Sequence, residues 1–230
     1  MWTSLLLLAL FTPPPAAAPC DAGLVVPRGF CATLVGDRLG AVRQLTVSDN
    51  GVLYAAIQGG GDGHGVLAFA DTNRDGTYER IGGFGPVGPN DVEVHGEFVY
   101  VAYPDRIVRW RVSRAAPVAS GEGEVIVSGL PVRGHSSKTI AFKGDSLFVT
   151  FGSRTNSCQE ADRQRRSPGV DPCAELAERA GIWVFAATRA GQSLSDGTRY
   201  ATGMRNAAAI AVQPATGVLY TAIMGRDQLA

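Results

Sequence analysis

Val92-Glu93-Val94…Gly96-Glu97-Phe98-Val99-Tyr100-Val101-Ala102 reads as a strand, a glycine turn and a second apolar strand, the signature of a β-hairpin. The same pattern stands upstream as Leu45-Thr46-Val47…Gly51-Val52-Leu53-Tyr54-Ala55-Ala56. Downstream it returns as Ile140-Ala141-Phe142…Gly144-Asp145-Ser146-Leu147-Phe148-Val149-Thr150 and as Ile210-Ala211-Val212…Gly217-Val218-Leu219-Tyr220-Thr221-Ala222. The copies start at 45, 92, 140 and 210. A self-similar period of this size predicts an all-β fold built from the blades of a β-propeller.

Each period also holds a second hairpin. Gly65-Val66-Leu67-Ala68-Phe69 precedes Tyr78-Glu79-Arg80-Ile81, Arg106-Ile107-Val108-Arg109-Trp110 precedes Val125-Ile126-Val127, and Gly181-Ile182-Trp183-Val184-Phe185 precedes Arg199-Tyr200-Ala201. Phe69, Trp110 and Phe185 recur at one place, where a ring fills the space between blades. The long third step places an insertion at 152–180. The chain therefore holds about three and a half blades. Because a ring closes only when its last blade meets its first, a longer parent protein is the expectation; a four-bladed ring with an incomplete last blade is the alternative.

The formal net charge is zero, from 21 basic and 21 acidic residues, so no long-range field draws in nucleic acid or an anionic membrane. The basic run Arg163-Gln164-Arg165-Arg166 lies in the insertion and reads as a solvated loop. Residues 1–18 read as a signal peptide, with an apolar core from Leu5 to Phe11 and small residues at Ala16-Ala17-Ala18. That core is too short to span a bilayer comfortably, which leaves a partial propeller at 19–230 in a periplasmic or secreted protein without a transmembrane segment. Four cysteines in an exported chain suggest two disulfides. Three pairings are possible, and proximity favours Cys20–Cys31 and Cys158–Cys173. The second would close a loop worth about 3 kcal/mol by chain entropy. Neither pair has the spacing of a zinc site.

The loops leading into the innermost strands open at the mouth of the central channel, where ligands bind. They carry Arg43-Gln44, Asn90-Asp91, Gly134-His135-Ser136-Ser137-Lys138 and Gly203-Met204-Arg205-Asn206. His135 is the histidine among them, with a near-neutral pKa that suits a general base. Arg205 and Asn206 offer a fixed cation and an amide for an anionic or quinone-type ligand. Separately, Asp71, Asn73 and Asp75 alternate before Gly76 like the opening of a calcium loop, with Glu79 as a further ligand; a plain hairpin turn is the alternative. Gly59-Gly60-Gly61-Asp62-Gly63 leads into a strand and not a helix, against a phosphate-binding loop.

Several of these stretches together resemble the glucose/sorbosone dehydrogenase family. They are Val26-Pro27-Arg28-Gly29-Phe30-Cys31-Ala32, Gly134 through Phe142, Arg179-Ala180-Gly181-Ile182-Trp183, Tyr200 through Ala207 and Gly225-Arg226-Asp227-Gln228-Leu229. The resemblance implies a six-bladed propeller, of which this chain is an N-terminal portion. It also implies bound pyrroloquinoline quinone (PQQ) and calcium, and oxidation of a sugar or related polyol or aldose with electrons passed on to an acceptor. It implies that His135 takes the substrate's hydroxyl proton, that Arg205 and Asn206 contact the quinone with Gln44 nearby, and that the backbone carbonyls of Gly225 and Arg226 hold calcium. The chain departs from the pattern at Gly134, where soluble glucose dehydrogenases carry an acidic residue, and at Met224. A non-catalytic propeller binding a carbohydrate or partner protein is the alternative reading. A calcium-dependent lactone hydrolase lacks its clustered acidic ligands here.

Overall fold

The structure, a computed structural model, describes residues 22–228. The expected signal peptide and Cys20, hence the Cys20–Cys31 pairing, lie outside the described residues. The first sheet is a meander of β1 (Val42–Val47), β2 (Leu53–Ile57), β3 (His64–Ala70) and β4 (Glu79–Pro86). The second comprises β5 (Asp91–His95), β6 (Phe98–Ala102), β7 (Ile107–Arg111) and β8 (Glu124–Ser128). The third comprises β9 (Ile140–Lys143), β10 (Ser146–Phe151), β11 (Gly181–Ala186) and β13 (Thr198–Thr202); the hairpin of β14 (Asn206–Val212) and β15 (Leu219–Met224) follows. Alternating β-branched and aromatic residues with tight turns account for these strands. In the second sheet Val94 faces Val99 and His95 faces Phe98, with Gly96 taking the left-handed turn position at φ 59°.

One pairing had no sequence signal. β12 (Gln192–Ser193), in the connection from β11 to β13, joins β8 in parallel and gives the second sheet a fifth strand. Gln192 is buried and latches this connection, donating to the Ala186 and Arg189 carbonyls at 2.8 and 2.6 Å.

β1, β5, β9 and β14 stand side by side in succession, so the first strand of each sheet faces a common axis and the sheets fan outward like blades. The blades interlock through apolar side chains. Trp110 packs with Tyr54 and Phe84 between the first two sheets, and Phe185 packs with Tyr100, Ile126 and Phe151 between the second and third. Phe69 holds the equivalent position in the first sheet, but its partners include Val35 and Leu39 from the segment before β1. Val42, Leu45 and Val47 of β1 and Tyr220, Ile223 and Met224 of β15 are exposed. No helix among the described residues is long and apolar enough to cross a membrane.

Strand direction sorts the loops. The lead-ins to β5, β9 and β14 and the β10–β11 connection emerge at one end of the axis, and the Asp71–Glu79 turn at the other.

Candidate active site

His135 precedes β9, Arg205 precedes β14, and both are tied to Ser153, which stands two residues past the end of β10 and is buried. The Ser153 carbonyl accepts from the His135 amide at 3.0 Å and faces His135 Nδ1 at 2.9 Å, while the Ser153 amide donates to the Arg205 carbonyl at 2.6 Å. A carbonyl can only accept, so Nδ1 carries the ring hydrogen and the Nε2 lone pair faces Arg163 Nη2, 3.4 Å away. Ser153 Oγ, which donates to the Thr155 carbonyl, lies 3.2 Å from the same Nδ1. Gly152 makes this approach possible: a Cβ there would lie 2.4 Å from His135 Cβ and 3.3 Å from Asn206 Oδ1. His135, Arg205 and Asn206 thus converge.

Asn156 and Arg163 of the insertion, with Asp227 after β15, supply partners that the sequence did not reveal. Asn156, fully buried, accepts at Oδ1 from Arg205 Nε at 2.8 Å and from the Asp227 amide at 3.0 Å. Its Nδ2 donates to the Asp227 carbonyl at 3.0 Å and to Gln159 Oε1 at 2.9 Å. The Asp227 carboxylate takes a short bond from Arg205 and a 3.0 Å bond from Arg163. Arg163 Nη2 also stands 3.4 Å from His135 Nε2. Arg163 is exposed, as the solvated-loop reading expected, yet the loop closed by the Cys158–Cys173 disulfide, formed as expected, brings its guanidinium to the histidine.

Gln44 stands apart from this group, in a central cavity of about 350 Å³ lined also by Asp91, Glu93 and Thr139. Its amide points at the Ala208 carbonyl across the axis, 3.5 Å away. Burial pushes Asp91 up to about 7, against the opposing bonds it accepts from the Ile140 and Val92 amides at 2.8 and 2.9 Å. Burial raises Glu93 as well, opposed by a bond from Thr46.

Gly225 and Arg226 follow β15 at the same end as His135, and Arg226 reaches the Ser167 carbonyl. Asp71, Asn73, Asp75 and Glu79 lie at the far end, and their oxygens are engaged within the turn. Asp71 accepts from the Asp75 and Gly76 amides, Asn73 also from the Asp75 amide, Asp75 from the Thr77 amide, and Glu79 from the Thr72 amide. The one acid-and-thiol cluster among the described residues, Cys158, Cys173 and Glu175, holds the disulfide and so offers no thiolate to a metal.

The donor set at the mouth fits a planar anionic cofactor such as PQQ. Arg163 and Arg205 both bond Asp227, Arg163 also stands 4.0 Å from Asp162, and Arg226 Nε is buried without a partner, so hydrogen-bond donors are left over for an anionic ligand.

Comparison with solved structures gives the fold independently. The holo form of the pyranose dehydrogenase PQQ domain from Coprinopsis cinerea aligns at a TM-score of 0.66 and 19% identity, over 84% of this chain and 46% of that one. The calcium structure of a Trichoderma reesei carbohydrate-active enzyme of family AA12 aligns at 0.64 and 15% identity, over 85% and 50%. The iodide structure from the same source aligns at 0.66 and 16%, over 86% and 49%. The chain thus spans about half the length of these structures, and at such identities the likeness concerns the fold alone. No curated protein matches the chain. The family model described as TrAA12-like matches residues 24–230, nearly all of the described chain, and the protein belongs to that family.

Proposed function

We propose that this chain serves a PQQ-dependent oxidoreductase acting on a sugar or a related polyol, on a six-bladed propeller akin to the glucose/sorbosone dehydrogenases. The observation that carries the reading is the junction at Ser153: a histidine with its Nε2 lone pair facing Arg163 stands beside an arginine–asparagine pair at the mouth. Membership of the TrAA12-like family and the solved PQQ domain of similar fold support it.

A bound quinone would supply the two-electron acceptor that no side chain here provides. Arg205 and Asn206 would hold it, with Arg163 closing over it, and their charge would favour electron density building up on its oxygens. His135 Nε2 would accept the proton from the substrate hydroxyl, and the Nδ1 bond to the Ser153 carbonyl would steady the imidazolium that results. Calcium belongs to the same proposal, on the Gly225 and Arg226 carbonyls, with a second ion at the Asp71 turn. The Cys158–Cys173 disulfide supports an exported, periplasmic or secreted location.

The test is titration of the native protein with PQQ and calcium, followed by absorbance and by reduction of an artificial dye on an aldose. A perturbed quinone spectrum and turnover are expected. His135→Ala should keep the spectrum and lose turnover at least a hundredfold; an unperturbed spectrum in the wild type, or full turnover in the variant, refutes the reading.

A further inference from the structure

A second cavity, of about 560 Å³, opens on the same end of the axis as His135, between the segment after β8 and the insertion. Arg133, Arg154 and Arg179 line it. Arg179 is only 7% exposed, yet among the described residues its side chain has no ion pair, and its buried Nε has no hydrogen-bond partner. A buried charge is ordinarily paired, since desolvation costs several kcal/mol otherwise.

No neighbouring carboxylate forms an ion pair with Arg179; Glu175 and Glu178 act on it only at longer range. Glu175 also lines the cavity, but its carboxylate is taken by the Arg154 and Thr155 amides and the Thr155 hydroxyl. Glu178 is exposed at the rim. Near Arg179 lies a fully buried lysine, Lys138, whose Nζ donates to the Pro131 and Ser136 carbonyls at 2.9 and 2.6 Å and forms no ion pair. Burial lowers the pKa of Arg179, and Arg154 lowers it further, against Glu175 and Glu178. Leu130, Pro131 and Val132 add an apolar wall. A buried, preorganised guanidinium beside an apolar wall suits a planar carboxylate carried on a ring.

We propose that this cavity binds a carboxylate-bearing sugar, with Arg179 gripping the carboxylate and Arg133 and Arg154 flanking it. The anion preference stands on the arginines alone, and the sugar rests on the oxidoreductase reading above. The site adjoins the candidate base through the chain itself: Arg133 is two residues before His135, and Gly134 packs on the Arg154 backbone, where a Cβ would come within 2.3 Å of the Arg154 carbonyl oxygen.

Calorimetric and thermal-shift titration of the native protein, free of quinone, with D-glucuronate, D-glucose, acetate and sulfate tests the proposal. Glucuronate should bind at least tenfold more tightly than glucose and than either small anion. Equal binding of glucuronate and glucose overturns it, and sulfate or acetate binding as tightly as glucuronate overturns the sugar assignment. Arg179→Met should abolish the preference for glucuronate while melting no lower than wild type in anion-free buffer, because an unpaired buried charge is replaced by an apolar chain of similar length. A lower melting temperature makes Arg179 a satisfied structural cation and overturns the proposal. Arg133→Gln, at the exposed rim, should weaken glucuronate several-fold and leave glucose unchanged; unaltered glucuronate affinity also counts against the site. Glucuronate binding without a quinone response, or the reverse, separates failure of the function from failure of this site.

Discussion

Lys138→Met is the substitution whose effect can be worked furthest from the structure. The Lys138 side chain is fully buried, with Nζ held by the Pro131 and Ser136 carbonyls and set over the Phe151 ring at 5.5 Å. Burial, reinforced by Arg179 and only partly offset by Asp105, pushes its pKa from 10.5 down to about 7. Above pH 7 the folded state therefore holds a neutral amine while the unfolded chain keeps its proton up to about pH 10.4. The unfolded state binds more protons in that window, so stability rises with pH, by at most about 1.4 kcal/mol per unit. Methionine conserves volume and removes the titration, at the cost of leaving two carbonyls without a donor, about 1–3 kcal/mol at every pH. Urea melts of wild type and variant at pH 7 and pH 9 should show their difference growing by roughly 2–3 kcal/mol in favour of the wild type. Taking the difference cancels the tyrosines and other groups that the two proteins share. A difference that stays flat or shrinks between these pH values refutes the claim that this lysine is buried without an ion pair.

Asp91 should act in the opposite direction. Its pKa in the fold is raised to about 7 by burial, so its contribution is complete below about pH 4 and is lost as pH rises through 7. Asp91→Asn should flatten that decline in melts between pH 4 and 7, while losing one of the two amide bonds that the carboxylate accepts. Gly152→Ala should destabilise the protein by about 1–3 kcal/mol, because its methyl would meet His135 Cβ at 2.4 Å. The imidazole resonances of His135 should move, and unchanged resonances would show that the glycine does not set the ring. Cys158→Ser with Cys173→Ser should lower stability by about 3 kcal/mol in urea melts, from the loop that the disulfide closes; a loss below 1 kcal/mol would mean that the insertion is held by its polar contacts alone.

The blades were legible because each hairpin carries its own pattern and repeats it; Val92–Ala102 and Ile140–Thr150 declare paired strands without reference to the rest of the chain. Positions at the mouth were legible for the same reason, since a lead-in loop is defined by the strand that follows it: His135 and Arg205 each sit before one, and Asn206 opens β14. Asn156, Arg163 and Asp227 were not. Asn156 is separated from Arg205 by 49 residues and from Asp227 by 71, and nothing local marks a buried asparagine as the joint between them. Arg163 sits in a run of polar residues whose composition is that of a solvated loop. Only the disulfide, which sequence proximity did suggest, hints that this loop has a fixed shape. β12 escaped for a related reason: two residues carry no periodicity, and their pairing depends on the neighbouring sheet being already in place.

A net charge of zero also hid the most consequential property of the surface. Charges that cancel over a whole chain, and even over one end of the axis, can still be left locally unpaired by the fold. Arg133, Arg154, Arg163, Arg179, Arg205 and Arg226 share the end of the axis that carries the insertion with Glu160, Asp162, Asp171, Glu175, Glu178 and Asp227, so the two signs nearly balance there. There, Asp227 serves two guanidiniums at once, Arg226 Nε has no partner, and Arg179 is buried without an ion pair. An unpaired guanidinium acts locally, most strongly where low-dielectric walls confine it, and favours an anion beside it. Neutrality of the sequence excludes a long polyanion drawn in from a distance. It says nothing against a small, flat anion that fits between the arginines, and the unpaired guanidiniums are a reason to expect one.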